Sequence, residues 1–240
     1  MRAWLAGGVL LLAAGAAAAE PERRLLGAGE AKAYRAVGRL NIAGTRFCTA
    51  TLIEPSVVVT AAHCLFHPQS RARVPMAEIR FVAGLRRGEV AAVRQAVRAV
   101  TQPDFAFDGM ASYAGVKADL ALVELDGPVP VAAAAPFAPG LFEPKGPPLA
   151  IVSYARDRPQ APSAEAPCAV ASAFAGVLAL ECAVTYGASG APVLQGEALV
   201  AVVSAMGRVV ETEGDVTLAV MLAPEVEALR ALLAAAPRED

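Results

Sequence analysis

Three short stretches carry residues whose types and arrangement suit nucleophilic chemistry. VVVTAAHCLFH (57–67) holds both histidines of the chain, His63 and His67, with Cys64 directly after the first. TYGASGAPV (185–193) sets Ser189 between Gly187 and Gly190, with Pro192 close behind. DLALVEL (119–125) opens on Asp119, a carboxylate at the head of an almost wholly apolar run. A hydroxyl beside an imidazole, with a carboxylate behind the imidazole, is the arrangement that activates serine for acyl transfer. Glycines around the serine let the backbone turn sharply, so that the amides of Gly187 and Ser189 are candidates for an oxyanion hole. A buried carboxylate is costly unless a donor meets it, and an imidazole N–H is such a donor.

Taken singly, each stretch also has a plainer reading. Ser189 fits a tight turn between strands, Asp119 fits a strand cap, and His63 fits the edge of a packed core. Asp104 and Asp108 in PDFAFDG (103–109) compete for the acid's place, but no buried run stands behind them. His67 reads as a surface residue after the turn.

The elements that must position these residues read as strands. Candidates in the first half are 36–42, 47–53, 56–60, 78–85, 90–100 and 119–125, and in the second 149–154, 168–174, 177–184, 191–194, 198–206 and 216–222. Short β-branched runs separated by Gly, Pro and Asp predict an all-β sandwich or barrel. VAAVRQAVRAV (90–100) is ambiguous, since its alanines suit a helix as well. Residues 127–148 carry seven of the chain's 18 prolines and read as a linker between two β halves of six strands each. At the C-terminus, Pro224 followed by Val226, Leu229, Leu232 and Leu233 at helical spacing predicts a closing amphipathic helix, with the helix and tail spanning 223–240.

Of the 240 residues, 56% are apolar and 18% charged, which excludes a disordered chain. MRAWLAGGVLLLAAGAAAAE has one arginine, a short apolar stretch and Ala17-Ala18-Ala19, and it predicts a secretory leader cut before Glu20. Removing residues 1–19 takes away Arg2 only, leaving 20 basic and 23 acidic groups, a formal charge of −3. The charges are scattered without a basic stripe, so nothing points to nucleic acid, and no later segment is long enough to span a bilayer. Export favours disulfides among Cys48, Cys64, Cys168 and Cys182; three pairings exist, of which the two local ones are simplest. The spacings do not fit a zinc site, and neither a metal nor a cofactor is predicted.

TAAHC, ADLALVEL and GASGAP, in that order, resemble the chymotrypsin-like serine proteases of the trypsin superfamily, especially exported bacterial members of the trypsin-like and V8-like kind. The likeness runs from about Ala36 to the terminal helix. It implies two six-stranded antiparallel β-barrels, 36–126 and 149–222, preceded by an N-terminal segment (20–35), with the active site between them. It further implies Ser189 as nucleophile, His63 as general base and acid, and Asp119 as the group orienting the imidazole. The Gly187 and Ser189 amides would bind the oxyanion, and the disulfides would be Cys48–Cys64 and Cys168–Cys182. Ala183 would floor the pocket for the substrate side chain and Ser204, Ala205 and Met206 would wall it. The implied protein is a monomeric endopeptidase acting on polypeptides in the periplasm or outside the cell.

The pattern departs from the family in places. Ala188 stands where an acidic residue or asparagine usually precedes the serine, so an inserted N-terminal ammonium would find no partner there. Ala183 offers no charge to an Arg or Lys side chain and implies a preference for small or medium apolar ones. The competing class is a weak or inactive protease-fold protein that binds a partner. An α/β-hydrolase esterase is disfavoured, because the order is His–Asp–Ser and a strand rather than a long helix follows the serine.

Overall fold

In a computed structural model, described over residues 22–107, 112–208, 214–223 and 225–239, the strands close into two barrels. The first comprises β2 (Val37–Ile42), β3 (Arg46–Glu54), β4 (Val57–Thr60), β5 (Ile79–Ala83), β6 (Ala92–Thr101) and β7 (Ala121–Leu125). They run in the order β2-β3-β4-β7-β6-β5, every pair antiparallel, and β5 returns to β2. The second comprises β8 (Leu149–Ala155), β9 (Arg158–Phe174), β10 (Val177–Glu181), β11 (Pro192–Gln195), β12 (Ala198–Arg208) and β13 (Asp215–Met221). Its order is β8-β9-β10-β13-β12-β11, closed by β11 on β8. A short N-terminal strand, β1 (Glu22–Leu25), adds to β9. The leader expected over 1–19 lies outside the described residues.

Three apolar clusters account for this arrangement. Leu40, Ile42, Leu52, Ile79 and Phe81 fill the first barrel, and Ile151, Leu178, Leu180, Val193 and Val203 fill the second. Between them lie Val59, Leu122, Val152, Tyr154, Val202 and Val220. Strands β4, β7 and β11 are therefore buried on both faces, which is why they read as continuous apolar runs rather than alternating ones. The terminal helix, α2 (Glu225–Ala235), buries Val226, Leu229 and Leu233 in the middle cluster. Leu232, expected on the same face, is 39% exposed.

Several elements differ from the sequence expectations. The ambiguous 90–100 stretch is strand from Ala92, its register set by β5 and β7 on either side. β9 begins ten residues earlier than expected, at Arg158, and runs through Pro159, Pro162 and Pro167. Proline keeps its carbonyl, and here Pro162 O accepts from Leu26 N (3.1 Å) and Pro159 O from the Arg39 guanidinium (3.0 Å). β10 stops at Glu181, freeing residues 182–184 to turn toward the serine. A short helix, α1 (Tyr113–Ala118), was not anticipated; the Ser112 hydroxyl caps its N-terminus and Asp119 follows its last residue. His67 is half-buried after the turn.

Among the described residues no helix or strand interrupts 126–148. The segment is nonetheless tied down: Phe137 N donates to Leu52 O (2.9 Å) in β3, and Gly140 N to Leu199 O (3.0 Å) in β12.

Candidate active site

His63 lies in a single 3-10 turn, Ala62–Leu65, that follows β4 directly. The next residue, Cys64, is joined by a disulfide to Cys48 in β3, so this turn is stapled to the neighbouring strand. Asp119 stands between α1 and β7 and is 4% exposed. Its Oδ1 accepts from the His63 main-chain N–H (2.8 Å) and its Oδ2 meets His63 Nδ1 (2.7 Å). A carboxylate at Nδ1 favours the tautomer with its proton there, leaving Nε2 as the acceptor. A third donor reaches Asp119 from the other barrel, the Ser204 hydroxyl of β12, at 2.5 Å from Oδ2. The serine assigned from sequence to the pocket wall thus has its hydroxyl on the carboxylate. A lone Ser in the apolar run ALVAVVSAM was the available signal.

Ser189 sits in the turn that connects β10 to β11 and is half-buried. The first barrel grips this turn. Thr49 N donates to Ser189 O (2.8 Å), and the Thr49 hydroxyl donates to Gly187 O (2.9 Å). On the other side Gly190 N donates to Val203 O (2.7 Å). Both glycines are required by the close fit. Gly190 has φ +81°, and a Cβ there would lie 2.1 Å from Thr49 O and 2.2 Å from Thr60 Oγ1. Gly187 has φ +97°, and its Cβ would lie 2.5 Å from the Phe47 ring.

The amides of Gly187 and Ser189 make no hydrogen bond among the described residues. The Ser189 hydroxyl likewise makes no hydrogen bond among them, to His63 Nε2 or to any other group. Thr49 escaped the sequence reading, since a threonine in an apolar strand gives no sign of an opposite-barrel partner; the Thr60 hydroxyl backs it from β4 by donating to Thr49 O (2.8 Å).

Beneath the expected pocket lies another group missed from sequence. Glu165, in β9, is 4% exposed, and its Oε1 accepts from Ala183 N at 2.6 Å. Burial pushes its carboxyl above the ordinary value, against the smaller opposing pull of the Ala183 amide and of Arg23. Cys168–Cys182 forms beside it, and the Thr217 hydroxyl donates to Cys182 O at 2.5 Å. Ala183 itself is exposed, Ala205 is half-buried, and Met206 is 47% exposed.

Side-chain ligand atoms of Cys48, His63 and Cys64 cluster within 4.8 Å of one another. Both sulfurs are bound to each other, so neither is a thiolate able to hold a metal.

Residues 48–202 match the family model of the trypsin-like peptidase domain. No curated protein matches the chain. Among solved structures, a Glu endopeptidase in complex with MPD is similar with a TM-score of 0.72 at 16% identity, over 88% of this chain and 96% of that one. A thermostable serine protease, AL20, from an extremophilic microorganism gives 0.67 at 17% identity, over 85% and 99%. An inactivated protease paralogue of the scabies mite, S-I1, gives 0.67 at 16% identity, over 86% and 97%. Identities this low speak to the shared two-barrel fold alone.

Proposed function

The chain belongs to the trypsin-like peptidase family, and from that premise we propose that it is an exported serine endopeptidase working through Ser189, His63 and Asp119. The observation that carries the reading is the double attachment of His63 to Asp119, through main-chain N–H and ring together. A structural cap would need only the first of these bonds. The second fixes the imidazole with Nε2 free to act as base.

In the proposed reaction Ser189 Oγ attacks the scissile carbonyl while His63 Nε2 takes its proton. The tetrahedral oxyanion rests on the Gly187 and Ser189 amides, each worth about 3 kcal/mol of barrier. His63 then gives the proton to the leaving amine, and the C–N bond breaks to leave an acyl group on Ser189. Water, deprotonated by His63, hydrolyses the ester and restores the serine. Asp119 holds the ring through Nδ1 and stabilises the imidazolium that forms.

Ala183 carries no charge, the nearer Glu165 oxygen is occupied by the Ala183 amide, and Met206 adds an apolar surface. We assign small or medium apolar P1 side chains to this pocket. The apolar, leader-like sequence of residues 1–19 and the two disulfides support export to an oxidising compartment. Activation by an inserted N-terminus is not part of the proposal. Ala188 is fully buried and uncharged, while Leu25 pairs with Ser163 in β1.

A second reading is a protease-fold binding protein without turnover, favoured by the absence of a Ser189–His63 hydrogen bond among the described residues. Such bonds often tighten only when substrate binds. A peptide library varied at P1 separates the two. Cleavage that falls by about 10⁴-fold in kcat for Ser189→Ala supports the enzyme; no cleavage by folded protein supports the binder.

A further inference from the structure

Away from the catalytic cleft, the β5–β6 hairpin (Gly84–Ala91) and the 3-10 turn Glu30–Tyr34 border a half-open cavity of about 450 Å³. That lies in the range of small-ligand sites, about 300–1,000 Å³. Lys32, Arg35 and Arg86 line it together with one carboxylate, Glu89, and the apolar Ala31 and Val90.

The basic groups here are unlike most others in the molecule. Arg23 holds Asp157, Arg24 holds Glu30, Arg98 and Arg238 hold Glu124, and Arg39, Arg46 and Arg94 donate to carbonyls. The side chains of Lys32, Arg35 and Arg86 have no hydrogen-bond or ion-pair partner among the described residues.

We propose that this cavity docks an acidic segment of a polypeptide, at a site separate from the catalytic cleft. Three cations against one carboxylate give it a surplus of positive charge that suits a carboxylate, and guanidinium groups bind carboxylates through paired N–H bonds. Glu89 disfavours a densely sulfated or phosphorylated chain, which would press anions on it. It suits a segment that also offers main-chain N–H groups. The absence of any aromatic lining residue leaves nothing to stack a nucleobase. Ala31 and Val90 add apolar contact for a neighbouring side chain.

The site also has a hydrogen-bonded connection to the serine turn. Leu85 O, in the same hairpin, accepts from the buried Tyr154 hydroxyl (2.8 Å), and Tyr154 N donates to the Thr49 hydroxyl (3.0 Å). Thr49 is the residue that holds Gly187 O and Ser189 O. A polypeptide anchored here therefore sits on a hairpin bonded to the scaffold of the serine turn.

The test uses the Ser189→Ala chain, so that it does not depend on turnover, and a fluorescein-labelled hexapeptide of alternating leucine and glutamate, followed by anisotropy. Binding should weaken by about 10-fold or more in Arg35→Ala/Arg86→Ala, which removes both paired-donor groups. It should be unchanged in Lys145→Ala, an exposed loop lysine elsewhere. Glu89→Gln should bind more tightly, a gain that damage to the fold would not produce. The corresponding leucine–glutamine peptide should not bind. The proposal is overturned if the glutamate peptide fails to bind, if Lys145→Ala weakens it as much, or if dextran sulfate binds the site and the peptide does not.

Discussion

The Ser204 hydroxyl lies 2.5 Å from Asp119 Oδ2, and the two residues belong to different barrels. Asp119 leads into β7 of the first barrel, and Ser204 stands in β12 of the second. The carboxylate that orients His63 is thus itself held across the barrel interface. Ser204→Ala should lower kcat by about 10-fold, the scale of one hydrogen bond to a charged group, with KM nearly constant. Steady-state kinetics on a good peptide substrate would show it. An unchanged kcat would mean that the two His63 contacts alone orient Asp119.

The serine turn should tolerate almost no bulk at Gly190. An added Cβ would meet Thr49 O at 2.1 Å on a backbone with φ +81°. Neither atom is a flexible side-chain end, since one contact is main chain and the other is the hydroxyl of a buried threonine. Gly190→Ala should cost about 3 kcal/mol or more, through strain and the displaced turn. Denaturant unfolding measures this; a loss under about 1 kcal/mol would show that the turn can shift away from β3 and β4.

Glu165 gives a pH dependence whose sign follows from its burial. Its carboxyl is raised above the ordinary 4.5 when folded, so the protonated form is favoured in the native state. The stabilisation this gives is complete below the ordinary value and is lost as pH rises through the higher folded value. Glu165→Gln keeps an acceptor for Ala183 N and removes the charge. Compared with the wild type, it should gain stability at about pH 8 and lose that advantage at about pH 4. Urea unfolding of both proteins at the two values checks it. A variant less stable at the higher value would show that the charge itself is needed by the Ala183 amide.

The parts of the fold and site that were legible in the sequence are the local ones. β4 and β7 are short apolar runs bounded by turn residues, and the fragments around His63 and Ser189 each hold their chemistry within a few positions. What stayed hidden depends on pairing across the molecule. Ser204 reaches a carboxylate 85 residues away, and Thr49 grips a turn from the other barrel, so neither has a local signature. The prolines of β9 concealed a strand whose hydrogen bonds run through carbonyls they retain. Glu165 was overlooked because the sequence does not reveal that APSAEAPC is an interior-facing strand.

The central claim is that Ser189 is a nucleophile activated by His63, and a fluorophosphonate probe reads that directly. Intact-mass spectrometry of folded, purified protein should show one covalent adduct, mapped to the peptide containing Ser189. Ser189→Ala should take up none, and His63→Ala should react far more slowly. Folded wild-type protein that stays unlabelled, or a label on any other residue, would contradict the account.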